Sequence, residues 1–173
     1  NMVAGPETPG YGLIAGKVAD PEDPFHQFML NGYAFLGISR VAEMLRDNNP
    51  EASMRLQNVA DRWKEDIRRN LFASMALAPV IPEGDGSWCP TVPPWPEATG
   101  PVSLFADRER CYSHGTFFTR DVLLGPLYLV FQEVLDPEEE AARLMLDYHS
   151  ELFYQNNASF SQPYYSRHAW LQL

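Results

Sequence analysis

Basic residues are scarce in this sequence. Lys and Arg number 13 against 23 Asp and Glu, a formal net charge of −10 over 173 residues. Phosphate backbones and anionic membrane surfaces need a basic face, so a nucleic-acid or lipid-surface partner is excluded at this level. Long apolar runs are missing too, and nothing approaches the roughly 20 residues of a membrane span. Cysteine is limited to Cys89 and Cys111, too few for a disulfide framework. They can pair in an exported protein, but two free thiols are the reading preferred here, and thiols favour the cytoplasm. No signal peptide is visible, and export stays compatible with one having been removed. The phosphate-cradling Gly-rich loop is lacking, and "GDGSWC" is not the G-x-S-x-G elbow of a serine nucleophile.

Metal-ligand patterns are equally thin. Cys111-x-x-His114 with Cys89 upstream offers three soft ligands, but no second pair completes a zinc site. His26, His149 and His168 stand alone on or beside helices and read as core or surface histidines. Asp20, Glu22 and Asp23, or Glu83 and Asp85, do not form a twelve-residue calcium loop. The expectation is therefore no metal and no cofactor. The triplet Asn157-Ala158-Ser159 has the form of a glycosylation acceptor, but such triplets arise often by chance.

What the sequence does contain is helix. Apolar residues make up 45% and aromatics 13%, enough for one domain with a full core. From Phe25 to Arg46 the pattern is apolar on nearly every side, with Phe28, Met29, Phe35, Leu36, Ile38, Val41 and Leu45. This predicts a helix buried on most of its surface. From Pro50 to about Ala78 a single stripe of Leu56, Ala60, Trp63, Ile67 and Leu71 recurs every 3.6 residues. Arg55, Arg62, Glu65, Asp66 and Arg69 lie elsewhere, on a wet face. The pair repeats: Thr119 to Leu135 is apolar all round, bent near Gly125-Pro126. Glu138 to about Gln155 is amphipathic, with Ala141, Leu144, Met145, Tyr148 and Leu152 inward. "DNNPEASMRL" and "LDPEEEAARL" open the two amphipathic helices alike, with Asn49 and Asp136 as N-caps and Pro50 and Pro137 in the first turn.

Buried and half-exposed helices alternating in antiparallel hairpins are what a double-layered helical toroid or solenoid requires. A free four-helix bundle would show four helices of similar character. The fold expected is mainly α, one helical domain over residues 1–173, with inner and outer helices and a short β-hairpin. That hairpin is predicted between Val80 and Cys89, turning at Glu83-Gly84-Asp85-Gly86.

The one long non-helical segment, Pro79 to Gly115, mixes aromatics with acids: Trp88, Trp95, Phe105 and Tyr112 among Glu83, Asp85, Glu97, Asp107 and Glu109. Its run Pro93-Pro94-Trp95-Pro96 should be extended and rigid. Rings stack on the apolar faces of pyranoses, and carboxylates accept hydroxyl hydrogen bonds or act as acid and base. The competing reading is that the rings pin the loop and the acids are solvated. A second polar-aromatic stretch, "YQNNASFSQPYYSRHAW", offers Gln162 for hydroxyls, Tyr164 and Tyr165 for stacking, and Arg167 with His168 for a carboxylate. The candidate site is thus Glu83, Asp85 and Asp107 as acids, with Trp88, Trp95, Tyr112, Gln162, Tyr164, Tyr165, Arg167 and His168 as ligand-binding residues.

"DPFHQFMLNGYAFLGISRVAEML" followed by "PEASMRLQNVADRWKEDI", with aromatic loops between hairpins, resembles the six-hairpin glycosidase superfamily of (α/α)6 toroids. Asp20, Asp23, Phe25, His26, Tyr33 and the Val41-Ala42-Glu43 step sit at places comparable to that family's loop acid, aromatics and inner helix. The resemblance covers Gly12 to Leu173 and is one of helix pattern. It implies a carbohydrate-active domain, hydrolase-like in the intact protein, with a carbohydrate ligand. The alternative is a non-catalytic helical-repeat interaction module whose aromatic loop docks a partner.

Six hairpins need roughly 300 residues or more on ordinary helix lengths. The chain is therefore expected to hold two hairpins and the start of a third, at "HAWLQL", as part of a larger protein. Inner-helix faces that would meet missing neighbours are expected to be covered by a second copy, giving a homodimer or higher oligomer.

Overall fold

A computed structural model describes residues 5–16, 25–97 and 125–151. The protein is mainly helical, with one two-stranded antiparallel hairpin. Helix α1 spans Phe28–Leu45 and α2 spans Pro50–Leu77; strands β1 and β2 are Val80–Pro82 and Trp88–Pro90. A 3-10 turn at Gly125–Leu127 leads into α3, Tyr128–Phe131, and α4 is Glu140–His149. No helix among the described residues is long and apolar enough to cross a membrane.

Helices α1 and α2 form an antiparallel hairpin. Ser53 donates to the Ala42 carbonyl at 2.7 Å near the turn, while Trp63 Nε1 donates to Asn31 Oδ1 at 3.2 Å far from it. Asn49 caps α2 as expected: its side chain accepts from Ala52 N–H at 3.1 Å, and Pro50 occupies the first turn, where a missing N–H costs nothing. The start of α1 has no side-chain cap. The Pro94 carbonyl accepts from Phe28 N–H at 3.0 Å instead, so the loop after the hairpin serves an otherwise orphaned donor.

The buried stripe of α1 runs Phe28, Asn31, Gly32, Phe35, Ser39, Ala42. It meets Ala60, Ile67 and Leu71 of α2 and Leu129, Val134 and Leu135 of the later segment in one core, closed by Met145 and Tyr148 of α4. The expectation that α1 is buried on most of its surface needs correction. Tyr33, Val41 and Met44 are 44, 46 and 76% exposed, so one apolar edge of the helix faces outward. The wet face of α2 is also narrower than its charges suggested. Residues 8–13 fold back over it: Asn70 Oδ1 accepts from Gly10 N–H at 2.8 Å, and Arg69 donates to the Tyr11 carbonyl at 3.0 Å.

Asn31 is fully buried in α1 and satisfies all four of its hydrogen-bonding positions. Its amide donates to the Gln27 and Ile14 carbonyls, and its oxygen accepts from Ile14 N–H and the Trp63 indole. A buried amide is tolerated only when it is satisfied in this way. Asn31 and Asn70 together fasten the N-terminal segment to both helices.

The second helical pair departs from expectation at two points. The apolar helix expected to reach Leu135 stops at Phe131. Glu133 adopts a left-handed conformation, φ 62°. Glu133 N–H then reaches the Val130 carbonyl, and Val134 N–H reaches the Leu129 carbonyl at 2.9 Å. This is a Schellman stop with glutamate in the usual glycine position. Basic residues of both long helices hold it: Lys64 Nζ of α2 donates to the Glu133 carbonyl at 2.6 Å, and Arg40 of α1 pairs with its carboxylate. Asp136 does not cap α4, whose N-cap is Glu139. Asp136 Oδ1 accepts from Glu138 N–H while Glu139 Oε1 accepts from Asp136 N–H, so these residues form a turn before the helix. Residues 119–124 and 152–155, expected in these two helices, lie outside the described residues.

Candidate functional site

The β-hairpin forms where expected, in the register Val80↔Pro90, Ile81↔Cys89, Pro82↔Trp88. Glu83 N–H donates to the Ser87 carbonyl at 2.9 Å and closes the loop Gly84-Asp85-Gly86. Gly86 sits at φ 91°, a conformation a Cβ disfavours. Cys89 anchors the hairpin to α4: it is buried, free, and donates to the Leu144 carbonyl at 3.3 Å. Burial, assisted by the nearby Glu83 and Asp147 carboxylates, pushes its thiol up to about 12, so it is a structural group rather than a nucleophile. Across the strand Trp88 points outward and is 64% exposed. The alternation of a strand therefore puts Cys89 inside and an indole on the surface.

Two acids expected in the site meet at the hairpin loop. The Ser87 hydroxyl lies 2.5 Å from Glu83 Oε2 and 2.6 Å from Asp85 Oδ1. One hydroxyl hydrogen can serve only one of them at a time, which leaves acceptor capacity for a donor from outside. Asp85 is held below the usual carboxylate range, chiefly by the Ser87 hydroxyl and then by Ser87 N–H. It stays ionised near neutrality and suits accepting hydrogen bonds, not donating a proton. Gly84 N–H reaches Glu151 Oε2 at 3.3 Å, tying the loop to the residue just beyond α4.

Trp95 is not part of this surface. It is 3% exposed and stacks on Phe25, centroids 4.5 Å apart and planes 9° from parallel. This corrects its assignment as a ligand-binding ring: it pins the loop to the start of α1. The run Pro93–Pro96 is not straight either, since the chain bends at Pro94-Trp95 and turns at Pro96-Glu97. That turn brings Glu97 to His26. Glu97 Oε1 pairs with His26 Nδ1, and Glu97 Oε2 accepts from His26 N–H at 3.4 Å.

Gly10 also lies against the imidazole. A Cβ there would lie 2.5 Å from His26 Nδ1, so only glycine lets the backbone approach. Sequence reading placed His26 among isolated histidines. No local motif marks a pair separated by 71 positions, and only the turn at Pro96-Glu97 unites them.

Asp107, Tyr112, Gln162, Tyr164, Tyr165, Arg167 and His168 lie outside the described residues, as do Cys111 and the sequon. A cleft of about 90 Å³ between residues 6–9 and the C-terminal half of α2 is lined by Arg69, Asn70, Ser74 and Leu77. It is small beside the roughly 300 Å³ at which ligand pockets begin. Among the described residues no group of three or more His, Cys, Asp or Glu side chains is placed to hold a metal ion. No family model, curated protein or solved structure matches the chain.

Proposed function

We propose that the chain is a carbohydrate-binding helical domain, part of a toroid that is glycoside hydrolase-like when intact. The observation that carries this reading is the hairpin surface, where the exposed Trp88 indole adjoins a loop bearing Glu83 and Asp85. The indole offers a flat apolar platform, and the acids offer acceptors with capacity to spare for hydroxyl donors. A rigid mount strengthens the case, because a platform fixed in advance loses little entropy when a ligand docks. The net charge of −10 is compatible with a neutral ligand. Calorimetry against a panel of neutral oligosaccharides tests it. Heat of binding is expected for at least one member, weakened about tenfold in Trp88→Ala for the loss of one stacking platform. Absence of heat from the whole panel would discard the reading.

A second reading is favoured by the outward edge of α1. Tyr33, Val41 and Met44 recur at helical spacing and are exposed. A helical-repeat interaction module, or self-association into a homodimer, would cover this edge. Light scattering at micromolar concentration discriminates: a dimer that Met44→Glu dissociates favours this reading, and a stable monomer removes the self-association arm.

A further inference from the structure

Away from the proposed carbohydrate surface, His26 and Glu97 form a side-chain pair. Three separate pieces of chain fix it. His26 lies just before Gln27, the N-cap of α1, and is bridged to Gly16, whose N–H donates to the Phe25 carbonyl at 2.7 Å. Glu97 arrives on the loop that the buried Trp95 pins against Phe25. Gly10 lies against the ring and is tied to α2 by Asn70. The carboxylate therefore takes Nδ1, while Nε2 has no hydrogen-bond partner among the described residues. The two side chains are 26 and 30% exposed, so the pair is open to a ligand.

A carboxylate on Nδ1 selects the tautomer that carries its proton there, which leaves Nε2 as a hydrogen-bond acceptor. The ring is also held against rotation, by the glycine on one face and by the backbone N–H that shares the same carboxylate. A surface histidine with no task needs none of this. Serving as a solvated charge would require neither a fixed tautomer nor a glycine at φ 82° beneath the ring.

We propose that His26 Nε2 is a fixed hydrogen-bond acceptor for a hydroxyl group of a neutral polyhydroxyl ligand, with Glu97 as its positioning residue. This rests on the carbohydrate reading above and adds a second contact point, where residues 10–16, the segment before α1 and residues 94–97 meet. An anionic ligand is disfavoured, because Glu97 and the overall negative charge repel it.

The test is nitrogen-15 NMR of the histidine rings in the full chain, recorded above their titration, with His26→Ala assigning the resonance. Nδ1 is expected to carry the proton and Nε2 to be bare. In Glu97→Ala the ring should shift toward the opposite tautomer, a signature that mere loss of packing does not produce. If wild-type His26 carries its proton on Nε2, the proposal is wrong, whatever binds elsewhere. The oligosaccharide that gives calorimetric heat is then added. The His26 Nε2 resonance should move, and His26→Ala should weaken binding about tenfold, the scale of one hydrogen bond. Heat of binding without movement at His26 and with unchanged affinity in the variant overturns this inference and leaves the carbohydrate reading intact. No heat from any oligosaccharide overturns that reading and this one with it.

Discussion

Gly32 and Gly37 lie one and a half turns apart on the same helix, yet alanine should act on them in opposite directions. At Gly32 a Cβ would sit 1.8 Å from Gln132 Oε1, 2.6 Å from Gln132 Cδ and 2.9 Å from Leu129 Cδ2. Gln132 is 1% exposed, and its amide donates to the Met29 carbonyl at 3.0 Å, so it cannot swing into solvent without losing that bond. Overpacking of this kind costs about 1–3 kcal/mol, and the lost hydrogen bond about 1 kcal/mol more. Gly32→Ala should therefore destabilise by about 2–4 kcal/mol, a large share of the ~5–15 kcal/mol typical of a domain.

At Gly37 nothing lies within 4 Å of the added carbon. Gly37→Ala should stabilise by about 0.5–1 kcal/mol through helix propensity alone. Urea denaturation monitored by circular dichroism reads both. Adding Gln132→Ala to Gly32→Ala should recover part of the loss, because the clash partner is then shortened. A Gly32→Ala protein as stable as wild type would refute the account of how α1 meets residues 129–132.

Three further outcomes follow from the hydrogen bonds and ion pairs. Asn31→Ala strands the Trp63 indole and both polar backbone groups of Ile14, so it should cost about 2–4 kcal/mol, on the scale of unsatisfied buried groups; a loss under about 0.5 kcal/mol would contradict the role given to it. Glu139 is held below its ordinary value of 4.5, first by its hydrogen bonds from Arg68. Its stabilisation is present above that value and lost as pH falls through the lowered one, so the stability gap between wild type and Glu139→Gln should be open at pH 7 and close in acid; a gap independent of pH would contradict it. The Cys89 peptide should resist alkylation at pH 8 in the native protein and label fully in urea, since burial keeps the thiol protonated; rapid native labelling would contradict the buried position.

Local chemistry was legible and long-range chemistry was not. Asn49-Pro50 announces the start of α2 because a cap and a first-turn proline act within four residues. The hairpin is legible for the same reason, through Gly84, Gly86 and the flanking strand residues. The stop after Phe131 was hidden because glutamate, not glycine, takes the left-handed position. What permits it is Lys64 and Arg40, distant in sequence. Trp95 and Trp88 look alike in sequence, seven positions apart in a loop rich in proline. Their fates differ because Phe25 stacks on one ring while the other stays largely exposed. Asp136 and Asn49 share a motif, but only Asn49 caps, since Glu139 reaches back to Asp136 N–H and moves the start of α4 past the proline. The His26–Glu97 pair is legible only once the fold has brought the two residues together.

The central claim is that the hairpin surface binds carbohydrate through Trp88. Its most direct test is the indole N–H spectrum of the uniformly nitrogen-15-labelled chain during titration with oligosaccharides, with Trp88→Phe assigning the resonance. The account predicts that the Trp88 signal moves progressively and saturates. Titration of the whole panel with the Trp88 signal unmoved would contradict it.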